Sequence, residues 1–293
     1  MLLLIVTVMI VGFFFSDPTG YGYRRRRGLM AFPVRTAKRL QVLLAVMAIL
    51  LLMAGAARAQ WLSLPLPGTP RTPDGKPNLM APAPKTADGK PDLSGIWHAA
   101  DNSYVDNLAG EGVDVPMLPS AAALYKQRQA TLGQDKPQLH CLPHGVPDAM
   151  LVSMIPFKIV QTPRETIVLY EEFNQYRQIF TDGRALPQDP NPAWFGYSVG
   201  KWEGDTFVVE VAGFKEGTWL DNGGHPHTEA LHITERYRRP NFGNLELDVA
   251  INDPGAYPKP WKSATIHFKL LPDTELLEHL CENERDAQHL GFK

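Results

Sequence analysis

Between Trp194 and Arg239 the chain switches between alternation and punctuation. Phe195, Tyr197 and Val199 alternate with Gly196, Ser198 and Gly200, the period-two pattern of a strand with one buried face. Glu203-Gly204-Asp205 supplies a turn, and Phe207, Val209 and Val211 then alternate with Thr206, Val208 and Glu210, so the run predicts a hairpin. After Gly213 the pattern stops. Asp221, Asn222, Gly223, Gly224 and Pro226 mark a loop, and Leu231, Ile233, Glu235 and Tyr237 resume the alternation.

The same order extends both ways. Pro119 to Gly133 predicts a helix, with Ser120 as its cap and Gly133 as its end. Two apolar runs, Met154 to Gln161 and Glu165 to Tyr170, flank a Thr162-Pro163-Arg164 turn, and Tyr176 to Thr181 precedes an Asp182-Gly183 turn. Leu245, Leu247, Val249 and Ile251 form one further half-buried face and Ile266, Phe268 and Leu270 another, with Leu276 to Cys281 read as the closing strand. Roughly eight to ten short strands with little helix predict a mainly β fold. An antiparallel meander closing into a barrel removes exposed edges, with a β-sandwich as the alternative and one short helix before the strands.

Leu93-Ser94-Gly95-Ile96-Trp97 opens this domain, expected to span residues 93–293. The G-x-W resembles the opening of lipocalin-like barrels, in which a tryptophan plugs one end. The runs GYSVGKWEGDTFVVEV, GHPHTEALHITERYRR and DPGAYPKPW resemble an abundant family of uncharacterised exported bacterial proteins over most of residues 90–290. That resemblance implies export and no particular reaction.

Upstream, Arg35, Lys38 and Arg39 precede an apolar segment from Leu40 to Ala56 that ends in Ala57-Arg58-Ala59, the pattern of a secretory signal peptide over residues 30–59 cleaved before Gln60. Residues 1–29 then read as an upstream extension, with Met30 as initiator. The alternative is an uncleaved membrane anchor at Leu40 to Met53, a short run for a span of about 20 residues. The expected location is periplasmic or secreted, with no stable span after cleavage. Residues 60–92 are rich in proline and glycine and contain a near repeat, PDGKPNL and ADGKPDL, which predicts an extended segment that packs across the domain or serves as a linker.

Charge and cysteine count narrow the function classes. Cleavage removes eight basic residues and one acidic residue from totals of 29 and 31, leaving a net charge of −9, which repels phosphate backbones and argues against a nucleic-acid partner. Cys141 and Cys281 are the two cysteines, an even count that suggests a disulfide in an oxidising compartment, with two separate thiols as the alternative. His140, Cys141 and His144 share a proline-broken loop and invite a metal reading that an oxidised Cys141 would remove.

The histidine loop is the leading candidate site. His225, His227 and Glu229 are candidate ligands for a divalent metal, the one cofactor considered, although no H-E-x-x-H occurs and Pro226 disfavours a strand presenting both imidazoles to one side. Asp221 and Glu235 are the candidate acid-base residues. Alternation places Glu235 on the face of Leu231, Ile233 and Tyr237, where it must be paired or protonated, with Arg177, Arg236 and Arg238 as partners in principle. Glu235, Tyr237, Tyr197 and Trp219 are the candidate ligand-binding residues. No G-x-S-x-G, G-x-G-x-x-G or P-loop is present.

The leading expectation is an exported protein binding a small apolar or amphipathic molecule inside the barrel. The alternatives are a metal-dependent or acid-base enzyme (hydrolase, lyase or isomerase) using the His225/His227 loop, and an envelope structural or interaction protein contacting its partner through the extended segment.

Overall fold

The alternating segments form ten strands in a computed structural model that describes residues 64–152 and 155–281. The expected extension and signal peptide, residues 1–59, lie outside the described residues. The strands are β1 (Gly95–Ala99), β2 (Phe157–Gln161), β3 (Glu165–Tyr170), β4 (Gln175–Phe180), β5 (Tyr197–Glu203), β6 (Thr206–Ala212), β7 (His232–Asn241), β8 (Asn244–Asn252), β9 (Trp261–Lys262) and β10 (Ile266–Leu270). Strands β1 to β8 pair in sequence order, and β10 pairs with both β1 and β8, closing a nine-strand barrel. Strand β9 adds to the second half of β8, where Ala250 faces Lys262.

Three local expectations are corrected. The barrel is mixed, because β4 and β5 run parallel, with Ile179 opposite Ser198. The connection between them contains Pro187, Pro190 and Pro192, which cannot pair as a strand, and it carries the chain back to the end where β4 began. In β5 the inward residues are Ser198 and Gly200, not Tyr197 and Val199: Ser198 is buried, and a Cβ at Gly200 would stand 2.5 Å from Phe207 Cζ. Small residues face inward there because large rings and the Arg177 side chain already fill the space. Finally, Leu276 to Cys281 is not a closing strand. Strand β10 completes the ring, so no edge is left for it, and among the described residues the tail makes a single bridge, His279 to Glu172.

Helix α1 (Pro119–Ala130) starts with Pro119 in its first turn, where the missing N–H costs nothing. Leu118 occupies the cap position without a side-chain bond, so Ser120 does not cap. The helix ends as its sequence predicts: Gly133 is left-handed at φ +71° and donates to Arg128 O at 2.9 Å. No helix among the described residues is long and apolar enough to cross a membrane.

The two barrel ends are covered differently. At the end formed by the β7–β8 turn, Trp97 is fully buried, donates from Nε1 to Leu93 O at 3.1 Å and lies under the Arg239 guanidinium at 4.8 Å. Arg239 also donates to Asp92 O, to Ser94 O and to Phe242 O, which fastens the extended segment to this end. The two near repeats form matching turns there: Thr72 N donates to Lys76 O and Thr86 N to Lys90 O, both at 2.8 Å. The opposite end is covered by α1, residues 137–152, the histidine loop and residues 253–260.

Candidate functional site

Four placements decide what chemistry this molecule can do: the barrel interior, the histidine loop, a second histidine cluster, and a cavity beside α1.

The inward faces of the strands fill the barrel with Trp97, Phe157, Ile179, Phe207, Tyr237 and Phe268, among others, all under 3 % exposed. Within this apolar packing lies one ion pair. Arg177 donates from Nη1 to Glu235 Oε1 at 3.1 Å and from Nη2 to Oε2 at 2.6 Å, while its Nε donates to Ser198 Oγ at 3.0 Å. Tyr237 OH donates to Glu235 Oε1 at 2.8 Å. Burial opposes the Arg177 charge, and the adjacent Glu235 carboxylate outweighs it and raises the pKa. Burial, with the Glu235 charge adding to it and Arg177 opposing it, pushes the Tyr170 phenol up to about 12. A bidentate pair with every carboxylate oxygen answered is a structural device. Of the expected ligand-binding residues, Glu235 and Tyr237 therefore share the interior. Tyr197 lies on the outer face, where its OH accepts from Arg184 at 3.0 Å, and Trp219 stands at the α1 end.

The histidine loop is buried, and its two imidazoles do not converge. Asp221 is fully enclosed; its Oδ2 accepts from His225 Nδ1 at 2.6 Å and from Leu108 N at 3.0 Å, and its Oδ1 accepts from His225 N at 3.1 Å. His225 stacks on Tyr125 of α1 at 4.6 Å. His227 turns elsewhere, to Thr228 O through Nδ1 at 2.9 Å and to the Thr218 hydroxyl through Nε2. These partners make Nδ1 the protonated nitrogen, and burial lowers the His227 pKa, so the ring is neutral. Glu229 is exposed. The expected metal set of His225, His227 and Glu229 is thus not assembled, and among the described residues no three His, Cys, Asp or Glu side chains are arranged to hold an ion. Pro226 separates the two histidines, and each is taken up by a different neighbour.

A third buried histidine had no assigned partners in the sequence. Cys141 is bonded to Cys281, His140 is exposed, and His144 lies between two carboxylates: Nδ1 is 2.5 Å from Asp148 Oδ2, and Nε2 is 2.8 Å from Glu172 Oε2. The second contact is one of charge rather than of good hydrogen-bond geometry. Burial works against the imidazolium, and Asp148 and Glu172 together still raise its pKa to about 10. The i, i+4 spacing of His144 and Asp148 repeats that of Asp221 and His225, a signal legible in the sequence. Glu172 comes from the β3–β4 turn and carries no such signal.

Beside α1 is a half-open cavity of about 320 Å³ whose lining includes Tyr125, Arg128, Gln129, Lys136, Trp219 and Asn222. Arg128 lies over the Trp219 ring at 4.4 Å and donates to Gly224 O at 3.0 Å. Lys136 Nζ donates to Asn222 Oδ1 at 3.2 Å and stands 6.0 Å above the same ring. Burial pulls the Arg128 pKa down to about 10, so the guanidinium remains charged at neutral pH. Sequence reasoning marked Trp219 and missed Arg128 and Lys136, because the cavity joins α1, the turn after it and the loop at 219–223. The chain matches no protein-family model, no curated protein and no solved structure.

Proposed function

We propose that this is an exported barrel that binds a small molecule in the cavity beside α1, with the filled barrel serving as its rigid support. The observation that carries this reading is the cavity itself. Its volume falls at the lower end of ligand sites, about 300 to 1,000 Å³, and aromatic and polar groups from separate elements converge on it. The interior, in contrast, is occupied by named side chains, and its one carboxylate is already paired, so the expected binding site moves from the interior to this cavity, and the expectation of an apolar ligand does not move with it. The disulfide, the signal-like residues 30–59 and the resemblance to exported bacterial proteins support export.

A second reading rests on Asp221 and His225. A buried carboxylate bonded to Nδ1 orients an imidazole so that Nε2 is the nitrogen left for proton transfer, the geometry of a general base and its orienting partner.

Melting-temperature screening of the purified protein against small molecules of differing charge tests the binding reading. A ligand at about a hundred times its Kd stabilises by about 2.7 kcal/mol, a shift of roughly 5 to 10 °C. Leu132 lines the cavity and is 91 % exposed, so Leu132→Trp should obstruct the opening without disturbing the core and should abolish that shift. A shift unchanged in Leu132→Trp, or its absence for every class of molecule, would reject the cavity as the site.

A further inference from the structure

We infer that the cavity beside α1 recognises a small hydrophilic oxyanion, a carboxylate, sulfate or phosphate group. The inference rests on the binding reading above and names the ligand class.

The cavity carries positive charge that no ion pair answers. Two cations, Arg128 and Lys136, line the cavity, and neither forms an ion pair among the described residues. Asp106 is the acidic residue on its rim, and Asp135 and Asp221 act on Arg128 through charge at a distance; none of the three forms an ion pair with either cation. Arg128 is 9 % exposed and satisfies one of its five donors on Gly224 O, and Lys136 satisfies one of three on Asn222. A buried guanidinium is costly while most of its donors lack an acceptor, and an oxyanion in the cavity would supply acceptors and opposite charge together. Elsewhere this chain answers its buried guanidiniums more fully, Arg177 with the Glu235 carboxylate and Ser198, and Arg239 with the carbonyls of Asp92, Ser94 and Phe242.

The surrounding groups fit the same ligand. Trp219 is 4 % exposed, and Arg128 covers one face of its ring, so the indole serves as a platform for the cations more than as a stacking surface for an aromatic ligand. The carbonyls that end α1 are engaged by Thr131 N and Gly133 N, which tempers the negative end of the helix. Gly133 matters to this arrangement: a Cβ there would stand 2.5 Å from Lys136 Cε, so glycine lets the lysine fold back toward the ring. Neutral and apolar molecules would leave both charges unmatched.

Isothermal titration at low ionic strength tests the inference on the full protein. The probes are inorganic phosphate, sulfate and succinate, with choline and glycerol as the cationic and neutral comparisons. Arg128 also anchors α1, so the variants are Lys136→Gln and Lys136→Glu, which leave that anchor in place. The expected result is saturable binding of at least one anion, weakened tenfold or more by Lys136→Gln, lost in Lys136→Glu and weakened by added salt. Preference for phosphate and sulfate over succinate would identify an inorganic or phosphoryl group as the ligand chemistry; the reverse preference would identify a carboxylate. Binding of choline or glycerol without any anion would overturn the inference while leaving the binding reading intact. Anion binding unchanged in both variants would place the site elsewhere and overturn the inference, and binding of no probe of any charge would count against both.

Discussion

A carboxylate enclosed in a protein interior costs several kcal/mol unless its charge is answered. In this barrel Glu235 on β7 is answered by Arg177 on β4 through two parallel bonds, with Tyr237 and Ser198 taking up further capacity. Breaking such a pair from one side leaves a buried charge alone. Glu235→Leu is therefore expected to lower unfolding stability by about 3 to 5 kcal/mol, whereas Arg177→Met with Glu235→Leu should recover most of the loss. Urea denaturation of the two single variants and the double variant measures this, and strictly additive losses would show that the two residues act independently. Alternation alone placed Glu235 on an inward face. It named Arg177 only as one of three arginines, because Arg236 and Arg238 are closer in sequence yet point outward, Arg236 to Glu203 and Arg238 to Asp248.

Among the elements, the hairpins were the most legible and the tail the least. The β5–β6 hairpin follows from period two and the Glu203-Gly204-Asp205 turn, and the inward faces of β7 and β8 from period two alone, since each of these signals is local. The tail at 271–281 depends on distant partners: Leu277 N donates to Glu171 Oε2 at 2.9 Å, His279 N to Asn174 Oδ1 at 3.4 Å, and Cys281 is bonded to Cys141 across 140 residues. Closing a loop of that length contributes about 5 kcal/mol in the chain-entropy model. The realised effect should be smaller, because a tail outside the barrel ring can detach while the strands stay paired. In Cys141→Ser with Cys281→Ser, amide hydrogen exchange is expected to rise sharply over residues 274–281 and to change little in β6 to β8. Loss of protection in the strands together with the tail would contradict this.

At the scale of the whole molecule, a closed ring has its ends to cover, and His144 sits where one of them is covered. It joins the loop at 144–148 to the β3–β4 turn through Asp148 and Glu172. Its folded pKa of about 10 lies above the ordinary value of 6.5, so the stabilisation it supplies is fully present below about pH 6.5 and is lost as pH rises toward 10. Wild type should therefore exceed His144→Gln in stability most at pH 6 and least at pH 10. Denaturant midpoints across that range measure the difference; one that stays constant with pH would mean that the imidazole is not the charged partner. Covering the other end is the task of the extended segment: Leu79 O accepts from Gly243 N and Ala81 O from Phe242 N, both at 2.8 Å.

The sequence by itself determined the strand content, the helix and its end, the inward faces of β7, β8 and β10, and the even pair of cysteines. These depend on side-chain alternation, turn residues and parity, all local or countable. Only the tertiary structure decided that β4 and β5 are parallel, that β8 meets β10 to close the ring, that Ser198 and Gly200 face inward, and that His225 and His227 part company. It also decided where Arg128 and Lys136 stand relative to Trp219. Each of these is settled by which distant segments fill the same space, a competition among packing, charge and chain closure that no window of sequence contains.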